Sequence, residues 1–148
     1  MRVQEIMTKN PICCIPEDSV QDAAYLMRTH NIGALPVVRG QTTRKLLGIV
    51  TDRDLCLTVL PKNLRAHTLT VASTMTRRPV TCKPGDRIED CAALMQTYEV
   101  RRIPVIDDND ACVGIVSLVD LAAHIPADMA RQTARRASHH EPVAANVV

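Results

Sequence analysis

Residues 7–38 read MTKNPICCIPEDSVQDAAYLMRTHNIGALPVV, and residues 75–106 read MTRRPVTCKPGDRIEDCAALMQTYEVRRIPVI. The stretches align without a gap. Thirteen aligned positions are identical, among them Met7/Met75, Thr8/Thr76, Pro11/Pro79, Pro16/Pro84, Asp18/Asp86, Asp22/Asp90, Met27/Met95 and Pro36/Pro104. A hairpin loop two residues shorter in the second copy follows. Then Gly48-Ile49-Val50-Thr51-Asp52-Arg53-Asp54-Leu55 matches Gly114-Ile115-Val116-Ser117-Leu118-Val119-Asp120-Leu121. The chain is written twice. Open repeat arrays usually need at least three copies, so two copies point to small units packed face to face, with function expected in the crevice between them. Residues 1–60 read as the first repeat, 61–70 as a linker, 71–124 as the second repeat and 125–148 as a tail.

Both copies spell the same order of elements. A short lead-in (Val3–Met7, Val71–Met75) precedes a proline and a brief strand, Ile12–Ile15 or Val80–Cys82. A helix follows, with Ser19-x-x-Asp22 or Asp86-x-x-Glu89 at its start, the spacing of a capping box. Its apolar face is Val20, Ala23, Ala24, Met27 in one copy and Ile88, Cys91, Ala92, Met95 in the other, an i, i+3, i+4, i+7 pattern. Two strands come next, Ala34–Val38 with Lys45–Val50 and Ile103–Ile106 with Cys112–Val116. A last helix begins near Asp52 and near Leu118. This β-α-β-β-α order in duplicate is an α+β fold with two small sheets.

Composition removes several function classes. The 148 residues are 46% hydrophobic but only 1% aromatic, so the core is aliphatic with Met and Cys, and base-stacking platforms for single-stranded nucleic acid are lacking. A formal charge of +2 does not argue for a polyanionic partner. Duplex binding through the Arg-rich tail and Arg77-Arg78 is the remotest reading. Met1-Arg2-Val3-Gln4-Glu5 does not read as a signal peptide and no apolar run approaches the roughly 18 residues of a membrane span, so a cytoplasmic location is expected. The six cysteines form no C-x-x-C pair and read as small buried hydrophobes. Asp107-Asp108-Asn109-Asp110 lacks the spacing of a calcium loop and reads as a hairpin turn. No metal site is expected. Phosphate-loop, dinucleotide, zinc-protease and serine-hydrolase motifs are absent, so no catalytic residue is assigned and the protein is read as not an enzyme.

The proline and apolar pair after the first helix, then G-I-V-[ST]-x-x-D-L opening the second, occur in both copies. This combination resembles a tandem cystathionine-β-synthase (CBS) domain pair, the Bateman module, over residues 3–124. The resemblance implies two sheets facing each other across a pseudo-twofold axis, with clefts between them. It further implies a regulatory ligand containing adenosine: AMP, ADP or ATP, with S-adenosylmethionine or NAD also possible. A homodimer and a regulated protein partner belong to the same implication.

By this resemblance Asp54 and Asp120 would hold a ribose diol, and one ionised carboxylate can indeed accept from both hydroxyls. Thr51 and Ser117, three residues earlier at a helix start, would reach ribose or phosphate. The competing reading makes Thr51 and Ser117 N-caps and the aspartates partners of the helix dipole. Adenine would lie on Leu35, Pro36 and Val37 in one half and Ile103, Pro104 and Val105 in the other, residues that also pack the core. Thr81 joins the set by the same resemblance. The copies differ before the proline: Gly33-Ala34-Leu35 against Arg101-Arg102-Ile103. Arg101, Arg102 and Arg53 are candidates for phosphate oxygens, although neighbours on an extended segment point opposite ways and one arginine can be a solvated surface group. Two inequivalent sites are expected, with the Asp120 site the better phosphate binder. A ligand-independent dimerisation scaffold with clefts closed by its own side chains is the alternative function.

Overall fold

A computed structural model of the chain describes residues 1–138; His139, His140 and the Pro- and Ala-containing end lie outside the described residues. In chain order the elements are α1 (Val3–Ile6), β1 (Thr8–Lys9), α2 (Val20–His30), β2 (Ala34–Val38), β3 (Leu46–Thr51), α3 (Asp52–Val59), β4 (Thr76–Arg77), α4 (Ile88–Tyr98), β5 (Arg102–Ile106), β6 (Cys112–Ser117), α5 (Leu118–Ala122) and α6 (Ala127–Ala137). Single 3-10 turns at Ala66–Thr68 and Val71–Ser73 interrupt the linker and the second lead-in.

Two compact units result, and neither is a contiguous repeat. One gathers Met1–Asn10, Val80–Asp107 and residues 113–138; the other gathers Pro11–Pro79 and Asp108–Cys112. Their three-stranded sheets run β1-β6-β5 and β2-β3-β4, which is the expected α+β fold with two small sheets. The lead-ins have changed places. β1, from the first copy, pairs with β6 of the second (Thr8 opposite Ile115, Lys9 opposite Gly114), and β4 pairs with β3 (Gly48 opposite Arg77, Ile49 opposite Thr76). The exchange repeats bond for bond. Val3 N donates to Asp86 O (2.9 Å) and Gln4 N to Pro84 O (2.9 Å), while Val71 N donates to Asp18 O (2.8 Å) and Ala72 N to Pro16 O (3.0 Å).

The helices follow the apolar pattern with two corrections. Ser19 caps α2 by accepting from Asp22 N at 3.0 Å, as its spacing predicts. Asp86 does not cap α4: the N-cap is Arg87, without a side-chain bond. Asp86 instead accepts from Lys83 N at 2.8 Å, as its repeat partner Asp18 does from Ile15 N at 3.0 Å. A short carboxylate satisfies the turn ahead of the helix before it can reach the helix. The second correction is Ala24, which is exposed, whereas the equivalent Ala92 is buried. The brief strands expected at 12–15 and 80–82 reduce to single parallel bridges, Cys14 to Val37 and Cys82 to Val105.

Helix α6 accounts for Ala92. It packs on α4 and α5, and Ala137, Met129, Ala130 and Ala134 join a core with Ala92, Met95, Ile103, Val105 and Leu121. The sequence reads this segment as part of a tail; residues 127–137 in fact pack on their own unit. Thr133, wholly buried, accepts from Gln96 Nε2 at 2.8 Å and donates to Met129 O at 2.7 Å. Thr133→Val removes that acceptor from a half-buried amide and is expected to lower stability by about 1 kcal/mol, measured as a shifted urea midpoint. An unchanged midpoint would show that apolar contacts alone hold α6.

Candidate functional site

The two halves of the chain build the same junction from strand to helix. Thr51 ends β3 opposite Ala34 and serves as N-cap of α3, with an extended backbone (φ −115, ψ 162). Ser117 ends β6 and caps α5 with φ −102 and ψ 162. An extended N-cap frees the first N–H groups of each helix, and these need acceptors. Each junction supplies them reciprocally. Thr51 Oγ1 accepts from Asp54 N at 3.1 Å and Asp54 Oδ2 accepts from Thr51 N at 2.9 Å. Ser117 Oγ accepts from Asp120 N at 3.1 Å and Asp120 Oδ2 accepts from Ser117 N at 2.9 Å.

The capping reading of these four residues is therefore realised in full, and it uses only one carboxylate oxygen. Among the described residues nothing donates to the Oδ1 of Asp54 or Asp120. Both carboxylates are half-buried, so each presents a charged acceptor whose orientation is fixed by its cap bond.

Backbone bonds set the preceding strand beside each cap. Asp52 N donates to Gly33 O at 2.9 Å, and Leu118 N donates to Arg101 O at 2.8 Å. One unit thus brings together Leu35, Pro36, Val37, Thr51, Arg53 and Asp54. The other brings together Thr81, Arg101, Arg102, Ile103, Pro104, Val105, Ser117 and Asp120, with Thr81 next to the Cys82 that bridges to Val105. All six strand residues are buried, and Leu35, Val37, Ile103 and Val105 belong to the apolar cores of their units. Arg53 and Arg101 are exposed and Arg102 half-buried, the split expected of neighbours on an extended segment.

One polar relay escaped the sequence reading. Thr74 Oγ1 donates to Asp54 O at 3.1 Å and meets Thr58 Oγ1 at 2.5 Å, tying the first turn of α3 to the exchanged lead-in. No repeat signal marks it, because Ile6 holds the equivalent place in the other copy. The acidic run Asp107–Asp110 sits in the connection between β5 and β6. Among the described residues no three His, Cys, Asp or Glu side chains could hold a metal ion together, and no helix is long and apolar enough to cross a membrane.

The chain is similar to known proteins in sequence and in fold. The family model for the CBS domain matches residues 3–60 and 71–127. The CBS domain-containing protein YhcV of Bacillus subtilis is 37% identical over 122 residues, covering 82% of this chain and 84% of the relative. Inosine-5'-monophosphate dehydrogenase of Korarchaeum cryptofilum is 33% identical over 81% of this chain, which spans only 23% of that enzyme. Among solved structures, the CBS domain pair of protein MJ0100 in complex with 5'-methylthioadenosine and S-adenosyl-L-methionine has a TM-score of 0.74 and 32% identity, covering 83% of this chain and 98% of that one. CBSX2 in complex with AMP has a TM-score of 0.69 and 27% identity, covering 82% and 93% respectively.

Proposed function

Because the chain belongs to the CBS domain family, we propose that it is a regulatory module that binds an adenosine-containing ligand at its strand-to-helix junctions and modulates a protein partner. The observation that carries this reading is the pair of capping boxes, each with one carboxylate oxygen spent on the helix and the other available to a ribose diol. A cap that pre-orients the acid lowers the ordering cost a ligand has to meet. The solved relatives with AMP or with S-adenosyl-L-methionine and 5'-methylthioadenosine support the ligand class. Arg101 and Arg102 stand beside Ser117 and Asp120, where the other unit has Gly33 and Ala34, so a phosphate-bearing ligand is assigned to the Asp120 junction. The module works as a homodimer and regulates without catalysing.

The full burial of Leu35, Val37, Ile103 and Val105 favours the second reading, a ligand-independent scaffold, because those side chains need no ligand to cover them. A melting screen against AMP, ADP, ATP, NAD and S-adenosylmethionine separates the two. A ligand at about 100 times its Kd adds about 2.7 kcal/mol, which for a chain of this length is a rise of about 5–10 °C, growing with ligand concentration. A flat melting temperature with all five compounds would leave the scaffold standing.

A further inference from the structure

Outside the junctions the unit built on Pro11–Pro79 holds a cluster of two thiols and a guanidinium. Cys13 (5% exposed), Cys112 (1%) and Val38 (0%) form a small core with Ile15 and Leu46 against them. Arg44 reaches in from the β2–β3 loop. Its Nη2 donates to Cys13 Sγ at 3.1 Å and to Pro11 O at 2.7 Å, and its Nε donates to Cys112 O at 3.3 Å. The loop is anchored so that it points inward: Cys112 N donates to Arg44 O at 2.8 Å, and Arg44 adopts a left-handed backbone (φ 54). A guanidinium aimed at a nearly buried sulfur is the arrangement that stabilises a thiolate.

The duplication shows that the fold does not demand this cluster. The equivalent positions in the other copy are Thr81 for Cys13, Asp110 for Arg44 and Leu46 for Cys112, with neither a sulfur nor a cation among them. The second buried thiol pair, Cys82 and Cys91, lies 3.9 Å apart in the apolar core of the other unit. The bond to Cys91 and then burial push the Cys82 thiol up, while the same bond, against burial, holds the Cys91 thiol down. Cys14, next in sequence to Cys13, is pushed up to about 12 by burial. Cys13 goes the other way: the hydrogen bond with Cys112 and then the Arg44 charge hold its thiol below the usual range, against the effect of burial.

We propose that Cys13 and Cys112 form a peroxide-oxidisable dithiol in which Cys13, held against Arg44, is the reacting sulfur. In the first step the Cys13 thiolate attacks a peroxide oxygen, the O–O bond breaks, and Cys13 becomes a sulfenic acid while hydroxide leaves. In the second step the Cys112 sulfur attacks the Cys13 sulfur and the S–O bond breaks. The departing hydroxide takes the Cys112 proton as water. One hydroperoxide is reduced and two thiols are oxidised to one disulfide. The bond ties the strand entry at Cys13 to the start of β6.

The test uses the full reduced chain carrying Cys56→Ser, which removes the exposed thiol, and hydrogen peroxide as probe, with peptide mapping under non-reducing conditions. A Cys13–Cys112 cross-linked peptide is expected first, reversed by dithiothreitol, ahead of any Cys82–Cys91 link. Arg44→Gln is expected to slow its formation by about tenfold. Because Arg44 also holds two backbone carbonyls, Cys112→Ser serves as the second variant: it strands Cys13 as a sulfenic acid that dimedone captures. A first link between Cys82 and Cys91, a main product joining Cys13 to Cys14, or no dimedone adduct on Cys13 in Cys112→Ser overturns the proposal.

Discussion

Gly48→Ala is expected to lower stability by about 3 kcal/mol, the upper part of the range for overpacking, while Gly114→Ala costs about 1 kcal/mol. Neither glycine has a positive φ, so the requirement is for space. A Cβ at Gly48 would lie 2.5 Å from the Thr76 carbonyl oxygen and 3.1 Å from Met75 Sδ. That carbonyl cannot retreat cheaply: Thr76 pairs with Ile49, Arg77 with Gly48, and Arg78 N donates to Leu47 O at 3.2 Å. At Gly114 the nearest obstacle is the end of the flexible Met7 side chain, and the Thr8 carbonyl stands back at 3.2 Å. The readout is the urea midpoint at unchanged slope. Equal losses at the two glycines would mean that the exchanged strand β4 is no more firmly held than a side chain. Then the exchange could not be a fixed feature of the fold.

The asymmetry between those glycines shows how far the duplication could be read. Because helix period, strand alternation and an S/T-x-x-D spacing are local signals, matching letters located α2, α4, both hairpins and the N-caps Ser19, Thr51 and Ser117, but the cap expected at Asp86 did not form. The exchanged strands Thr8–Lys9 and Thr76–Arg77 are two residues long and carry no alternation; their trace in the sequence is the glycine each lies against. Ala24 and Ala92 are the same residue at the same repeat position, and only one is buried, because α6 arrives from outside the repeat to cover α4. Left-handed residues recur in register at Asn10/Arg78, Asn31/Glu99 and Arg44/Asp110. Asparagine tolerates that conformation, but Glu99, Arg78 and Arg44 give no warning of it, so there the tertiary turn overrides the residue's own preference. At the candidate site the caps were legible in Thr51–Asp54 and Ser117–Asp120. The division of labour between the two carboxylate oxygens was not, since it depends on which way each acid is turned by its own bond to the backbone.

That division gives the site its sharpest test, a comparison of Asp120→Asn with Asp120→Ala. The asparagine retains an amide oxygen able to accept from Ser117 N, so the helix start survives and the unliganded melting temperature stays near that of the unsubstituted chain. What it loses is the charge and the second acceptor, which becomes an NH2 donor facing the diol. Hydrogen bonds to charged groups contribute about 1.5–3 kcal/mol, so AMP affinity is expected to fall by about 10–100-fold in a calorimetric titration. The alanine forfeits the cap bond as well and should lose about 1 kcal/mol of stability together with the same affinity. Asp54→Asn is the internal comparison: if the arginines direct phosphate to the Asp120 junction, it weakens AMP binding less. Unaltered AMP affinity in Asp120→Asn, with destabilisation confined to Asp120→Ala, would reduce both aspartates to caps, and the ribose would then have to be held by the hydroxyls of Thr51 and Ser117 or not at these junctions at all.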